Sequence, residues 1–296
     1  MDAIPAKHLL HRSRSTEWFG TDHTMNIYRG CCHDCLYCDS RSDCYQIGEF
    51  DRVRAKADAL RILRDDLARK VWPAFIATGA MSDPYNPFEA ELQLTRHALE
   101  LIDAYDCGVA VATKSDLITR DIDILASIQG HSPMICKLTV TTADDALAAK
   151  IEPNAPPPSR RLAALETLSE AGLFAGVLLM PVLPFLEDSD ENVLGVVEGA
   201  AKAGARFIYP ALGVTMRQGQ REYFLDGLER AFPGRGLKER YLRQYGDRYQ
   251  CASPRARALW KVFSQACQER GILYDMKSII RAATLGYGDR QLTFFD

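Results

Sequence analysis

The chain has 296 residues, of which 47% are hydrophobic and 25% are charged, and its formal net charge at pH 7 is −3. This composition excludes a disordered or fibrous protein and suffices for one α/β barrel or two smaller domains. The first 20 residues contain no continuous apolar segment, and the longest apolar run, residues 174–185, is interrupted by Pro181 and Pro184; neither a signal peptide nor a membrane span is expected.

Short apolar runs alternate with amphipathic stretches along most of the chain, a pattern typical of β-α units around a parallel sheet. The predicted strands are residues 24–28, 74–78, 109–113, 136–140, 175–180 and 206–209. The predicted helices are residues 52–70, 87–105, 119–128, 160–171 and 191–203. Six such units predict an α/β fold, a partial (β/α)6 TIM-like barrel, over residues 1–217. Residues 218–296 leave the alternation and predict a helical extension packed on the barrel, with 255–270 as its clearest helix and an exposed tail.

The loop after the first predicted strand contains four cysteines within eight residues. Cys31, Cys35 and Cys38 have the spacing C-x3-C-x2-C. An iron-sulfur cube normally takes four cysteine ligands. A site that offers three thiolates therefore leaves one iron open to a ligand that is not protein.

Two other metal sites use similar spacings. Cys32, Cys35 and Cys38 also begin a bacterial ferredoxin pattern, but Cys44 comes too late to complete it and no proline follows it. A zinc site would need a second close pair of Cys or His ligands, and the remaining cysteines are isolated. Nine cysteines, an odd number with one cluster, favour a reducing cytoplasm over a disulfide scaffold.

Polar residues follow the other predicted strands as well. The segment TGAMSDPYNP, residues 78–87, follows the second strand, Lys114 and Ser115 follow the third, and Thr141 and Thr142 follow the fourth. Because the carboxyl ends of barrel strands meet at one rim, we expect these residues to lie near the cysteine loop.

Several motifs, in order, resemble the spore photoproduct lyase group of the radical S-adenosylmethionine (SAM) superfamily. They are NIYRGCCHDCLYCDSR, SDPYNP, ATKSDLITRDIDIL, TVTTADD with IEPNAPPPSRRL, and PVLPFLEDSDEN, and they span residues 26–192. The resemblance implies a 4Fe-4S cluster on Cys31, Cys35 and Cys38 with SAM on its open iron. It also implies reductive cleavage of SAM to a 5'-deoxyadenosyl radical that abstracts a hydrogen atom from substrate. Such a reaction needs an electron donor, for which a flavodoxin or a ferredoxin is expected.

The chemistry of SAM then suggests roles for individual residues. Lys114 is the predicted partner of the SAM carboxylate, and Tyr37 the predicted contact of the adenine. The predicted ribose contact is Thr141 or Thr142. Gly79 would permit close approach to the ligand amino group, and Ser82 would add a polar contact. The alternatives are an exposed lysine at a strand end and a Ser82-Asp83 pair that only caps the next helix.

One departure from the lyase bears on the reaction. In the lyase a hydrogen-returning cysteine precedes the serine of the second motif, whereas Ala80 and Met81 precede Ser82 here. Neither side chain donates a hydrogen atom as a thiol does, so repair of spore photoproduct itself is not implied. Cys251, in YQCASP, is the candidate catalytic thiol, and a structural cysteine is the alternative.

Two segments suggest macromolecular partners. Residues 206–257 carry eleven Lys and Arg against five Asp and Glu. Tyrosines interleaved with these cations favour nucleic acid binding, and the alternative is a solvated helical face. The interleaved tyrosines are Tyr223, Tyr241, Tyr245 and Tyr249. The tail QLTFF, residues 291–295, resembles peptides that bind the bacterial sliding clamp; packing against the barrel is the alternative.

Three functions therefore remain open from the sequence. The first is a radical SAM enzyme acting on DNA or RNA, as in repair or modification. The second is a radical SAM enzyme acting on a small molecule or peptide. The third is a non-catalytic iron-sulfur or zinc protein.

Overall fold

The computed structural model describes residues 2–70 and 73–287. Its strands are Ala3–Ile4 (β1), Leu10–Arg12 (β2), His23–Met25 (β3), Tyr28–Arg29 (β4), Arg54–Lys56 (β5), Phe75–Thr78 (β6), Gly108–Thr113 (β7), Met134–Thr139 (β8), Ala175–Leu179 (β9), Phe207–Pro210 (β10), Gly213–Thr215 (β11) and Gln250–Ala252 (β12). Its α-helices are Ala59–Ala68 (α1), Glu89–Leu92 (α2), Leu94–Ala104 (α3), Ile122–His131 (α4), Asp145–Ile151 (α5), Pro158–Glu170 (α6), Asp190–Lys202 (α7), Gln220–Ala231 (α8), Leu237–Tyr245 (α9), Ala256–Glu269 (α10) and Met276–Thr284 (α11).

Seven strands form the central sheet in the order β10-β9-β8-β7-β6-β3-β2. Within this sheet β3, β6, β7, β8, β9 and β10 pair in parallel, and β2 runs antiparallel to β3. Helices connect successive parallel strands and cover the outer face of the sheet, and every residue of β8 and β9 is buried. Within the described residues no ladder joins β10 to β2. The sheet is therefore an open barrel, and the predicted partial (β/α)6 barrel is confirmed.

The structure corrects the prediction in three places. The first predicted strand ends at Met25, and the predicted helix 52–70 begins only at Ala59. The residues that precede this helix form β5, which pairs with β1 and β4. The extension after residue 217 is not purely helical, because β12 pairs antiparallel with β11. All three corrections involve strands paired with distant segments, which local periodicity does not reveal.

Three groups of buried side chains hold these elements together. The largest lies between the sheet and the surrounding helices. A second joins the cysteine loop to α8, α9 and β12, and so links the barrel to the C-terminal extension. The third lies inside the barrel, where Phe19 and Ile279 pack on Phe75 and Phe207. The predicted domain division between residues 217 and 218 falls between β11 and α8 and stays a prediction. None of the described helices is long and apolar enough to cross a membrane.

Candidate functional site

A cavity of about 730 Å³ opens at the carboxyl ends of the barrel strands. The three cysteines of the C-x3-C-x2-C motif, Cys31, Cys35 and Cys38, all lie in its lining. The loop after β6 and the end of β7 contribute Gly79, Ser82 and Lys114 to the same wall. The cysteine loop, the loop after β6 and the end of β7 therefore meet at one rim, as predicted.

Main-chain contacts on both sides hold the cysteine loop in place. The N–H of Cys31 donates to the carbonyl of Phe50 at 2.8 Å, and the N–H of Leu36 donates to the carbonyl of Ile151 at 2.9 Å. Gly30 has φ +83°, and a Cβ there would lie 2.5 Å from the Phe50 oxygen, so only glycine permits this approach. Segments far apart in sequence therefore determine where the thiols lie.

A stacked arginine fixes the middle of the loop. The Arg41 guanidinium lies 3.8 Å from the ring centroid of Tyr223 on α8 and 4.7 Å from that of Phe50. It also forms an ion pair of 2.8 Å with Asp34, which lies between the first two motif cysteines. The Tyr223 hydroxyl donates to the same carboxylate. This clamp joins the C-terminal extension to the cysteine loop.

The three motif thiols hold their protons tightly when no metal is bound. Burial raises the pKa of Cys31 to about 12 and also raises the pKa values of Cys35 and Cys38, so metal binding would displace their protons. Within residues 2–70 and 73–287, no three His, Cys, Asp or Glu side chains are close enough to share one metal ion. Zinc needs four such ligands at one ion, whereas a cube presents a separate iron to each thiolate. Three thiols in one cavity lining are the number that a cube with one open iron takes.

A buried ion-pair network lies behind the cysteines. Glu152 and Arg161 are 1% and 0% exposed and form an ion pair, and the Tyr37 hydroxyl donates to the same carboxylate. Burial would raise the pKa of Glu152, but Arg161 and Lys114 outweigh it and hold that pKa below its usual range. The Lys114 ammonium lies 4.0 Å from the Glu152 carboxylate. Because Glu152 and Arg161 neutralise each other, the network has one net positive charge, and Lys114 carries it at the cavity wall.

The sequence interpretation gave no role to Glu152, Arg161 or Lys137. The signal for the first two was the motif IEPN with SRRL, in which Glu152 precedes Pro153 and Arg161 follows Pro158 by three residues. Lys137 was hidden inside an apolar strand, MICKLT, where it lines the cavity although it is 2% exposed. A lysine within an otherwise buried strand was the signal that could have identified it.

Comparison with known proteins places this geometry in a family. The model described as the Radical SAM superfamily matches residues 25–197. The chain belongs to the radical SAM superfamily. Enzymes of this superfamily bind a 4Fe-4S cluster and SAM, so the predictions of an enzyme and of these two cofactors are confirmed at the level of the family.

Relatives and solved structures add detail about the fold. An uncharacterized protein of Mycobacterium tuberculosis is 31% identical over 230 residues, 75% of this chain and 67% of its own length. A mutant spore photoproduct lyase solved with SAM and dinucleoside spore photoproduct has a TM-score of 0.61 at 14% identity, covering 90% of this chain and 78% of the lyase. A radical SAM methyltransferase from Kitasatospora setae, with cobalamin and a 4Fe-4S cluster, gives 0.57 at 13% identity, covering 90% of this chain and 57% of the methyltransferase. At these identities the solved structures share the fold alone.

The predicted SAM contacts fall into two groups. Lys114, Gly79 and Ser82 line the cavity. The Lys114 side chain is only 17% exposed, so it is not an exposed lysine at a strand end. The Ser82 hydroxyl donates to the carbonyl of Tyr28 at 2.9 Å. A Cβ on Gly79 would lie 1.9 Å from the carbonyl oxygen of Ala112, so this glycine is required for packing between β6 and β7 whatever else it contacts.

The remaining predicted contacts lie outside the observed lining. Tyr37 is buried in the core that joins the cysteine loop to the extension. Thr141 is buried, and the Thr142 hydroxyl accepts from the N–H of Asp144 at 3.1 Å, where α5 begins. Thr139, one side-chain layer earlier on β8, lines the cavity instead. The contacts of Tyr37, Thr141 and Thr142 with SAM stay predictions.

Cys251, the candidate hydrogen-atom donor, does not line the cavity either. Cys251 is 1% exposed, lies on β12 within the core that joins the cysteine loop to the extension, and points its thiol at the carbonyl of Arg248 at 3.4 Å. Burial raises its pKa to about 11. These are the features of the structural cysteine that was the alternative.

The four tyrosines interleaved with cations in residues 206–257 do not form one surface in the structure. The hydroxyls of Tyr241 and Tyr245 donate to main-chain carbonyls at 2.8 and 2.7 Å from buried positions, and Tyr223 belongs to the arginine clamp. Tyr249 alone of the four lines the cavity, with 43% of its surface exposed. The predicted clamp-binding tail, residues 291–295, lies outside the described residues.

Proposed function

We propose that Cys31, Cys35 and Cys38 hold a 4Fe-4S cluster and that SAM binds beside it in the cavity. The observation that carries this proposal is the convergence of three thiols and the half-buried Lys114 on one cavity of about 730 Å³. When bound, the cluster and SAM supply a 5'-deoxyadenosyl radical for abstraction of a substrate hydrogen atom. The barrel supplies position and the exclusion of water.

The chain's own residues would divide the work of binding. Lys114 provides the cation for the SAM carboxylate, and its ammonium lies 4.0 Å from the Glu152 carboxylate. Although burial by itself lowers the pKa of Lys114, the charges of Cys35 and Glu152 raise that pKa to about 12. The lysine therefore stays charged throughout the physiological pH range.

The test is anaerobic reconstitution with iron and sulfide, followed by SAM and dithionite. We expect about four iron atoms per chain and release of 5'-deoxyadenosine. Chain without bound iron, or with cluster but no 5'-deoxyadenosine, would contradict the proposal.

For the substrate we propose nucleic acid. Trp18, Tyr45 and Tyr249 surround the cavity, and Trp18 and Tyr249 are 40% and 43% exposed, as suits side chains on which bases stack. The excess of cations in residues 206–257 would add attraction for phosphates. The fold shared with a lyase solved with dinucleoside spore photoproduct supports the same substrate class.

Matched tryptophans allow a sharp test of this substrate class. Trp18 lines the cavity, whereas Trp260 on α10 is similarly exposed at 45% and does not. Fluorescence anisotropy with labelled single-stranded oligonucleotides should show salt-dependent binding. Trp18→Ala should weaken it by about 5- to 100-fold, the range for loss of one stacked base, and Trp260→Ala should not. Equal affinities for both variants, or no binding, would favour the small-molecule or peptide alternative.

Three further proposals concern partners and location. A flavodoxin or ferredoxin would supply the electron, residues 291–295 would bind a sliding clamp, and the odd number of cysteines favours a cytoplasmic protein. Calorimetry with a peptide of residues 286–296 and purified clamp tests the second, and absence of binding would refute it.

A further inference from the structure

Lys137 lies in the middle of the barrel wall and points into the cavity. By strand register it lies beside Ala112 on β7 and Gly176 on β9. Neither neighbour has a side chain large enough to cover a lysine. The residue is 98% buried by the protein yet belongs to the cavity lining, together with Thr24 and Thr139.

This lysine has no anionic partner in the described part of the chain. No hydrogen bond or ion pair involves its ammonium group there, and its closest specific contact is the Phe19 ring, whose centroid lies 4.6 Å from Nζ. Burial therefore lowers the pKa of Lys137 to about 7, and the neighbouring Cys136 thiol offsets this only in part. An unpaired buried cation is costly, and proteins retain such groups mainly at functional sites.

The position of Lys137 differs from that of Lys114. Ala112 is the register partner of Lys137, and Lys114 follows Ala112 by two residues. Lys137 thus lies one side-chain layer deeper in the barrel, about 6–7 Å along the strand direction. Lys114 is paired with Glu152, whereas the specific neighbour of the Lys137 ammonium is the Phe19 ring. Lys114 already has an anionic neighbour in Glu152, whereas Lys137 has none in the described part of the chain.

We propose that Lys137 binds an anionic oxygen group of the substrate, a carboxylate or a phosphate, inside the barrel. The inference rests on the proposed function, in which the anion of SAM belongs to Lys114. An ion pair at this depth fixes the substrate relative to the barrel axis and so selects which C–H bond is presented to the radical. Lys137 is then a residue that determines specificity, because a substrate with the anion gains an ion pair that a substrate without it does not.

The test uses reconstituted protein saturated with SAM, without reductant, so that the SAM site is filled. Thymidine 5'-monophosphate and succinate serve as the phosphate and carboxylate probes in isothermal titration calorimetry at pH 7. We expect wild type to bind one of them with proton uptake, detected in two buffers of different ionisation enthalpy. K137M should weaken that binding by about 10- to 100-fold, the usual range for a hydrogen-bonded charge, and K137R should retain part of it.

A lysine outside the cavity provides the control. Lys56 on β5 also has its pKa lowered by burial but does not line the cavity, so Lys56→Met should bind the probe as wild type does. Equal binding by K137M and wild type, or binding of neither probe to wild type, overturns the inference. If K137M fails to fold, protection of Lys137 from reductive methylation by the bound probe in wild type decides the question. Release of 5'-deoxyadenosine without substrate should be equal in Lys56→Met and wild type, because Lys56 does not line the cavity, and its absence from wild type would count against the proposed function instead.

Discussion

Replacement of Lys137 by methionine should make the cluster-free protein more stable. Methionine has a similar length and no charge, so it fills the same space without an unpaired ammonium. The pKa of Lys137 is about 7 in the folded protein, against an ordinary value of 10.5. A difference of about 3.5 pH units corresponds to about 4–5 kcal/mol. Because water in the cavity relieves part of this cost, we expect K137M to raise the free energy of unfolding by about 2–4 kcal/mol at pH 7.

The pH dependence makes this prediction specific. Between pH 7 and 10.5 the unfolded chain holds the Lys137 proton more tightly than the folded chain, so the stability of wild type rises with pH. Relative to K137M it should rise by about 1.4 kcal/mol per pH unit in that window and stay constant below pH 7. Urea unfolding of both proteins at pH 6, 7, 8 and 9, under reducing conditions, measures the difference. Parallel pH curves, or a K137M protein less stable than wild type, would refute the reasoning.

Three other substitutions test the site. Cys38→Ala should abolish 5'-deoxyadenosine release and lower the iron content after reconstitution, whereas Cys44→Ser, at an exposed thiol outside the lining, should leave both unchanged; equal losses would contradict the assignment of ligands. Glu152→Gln breaks a buried ion pair and should lower the free energy of unfolding by about 3–5 kcal/mol in urea titrations, and a loss below about 1 kcal/mol would show that the pair is not structurally important. Gly79→Ala should lower the thermal midpoint more than Gly172→Ala does, because both glycines have positive φ but only Gly79 would place its Cβ against a backbone oxygen; similar shifts would argue against that close approach.

The charged residues of the site show what local sequence patterns can and cannot predict. Lys114 could be predicted because it follows a recognisable strand and resembles a family motif. Lys137 stands out in the sequence as a lysine within an apolar strand, but the apolar pattern of β8 does not indicate which face of the strand points into a cavity. The tyrosines of residues 206–257 have one helical spacing in sequence, yet the fold buries Tyr241 and Tyr245 and leaves Tyr249 at the cavity.

The sequence by itself determined the alternation of strands and helices, the partial barrel and the three thiols, because each depends on residues close together in the chain. Periodicity and short motifs record such local relations directly. Only the tertiary structure decided that Glu152 and Arg161 neutralise each other behind the cysteines, that Cys251 lies in the core beside the extension, and that Lys137 has no anionic partner among residues 2–70 and 73–287. These facts arise from contacts between distant segments, where burial and strand register decide which charges meet and which stay alone.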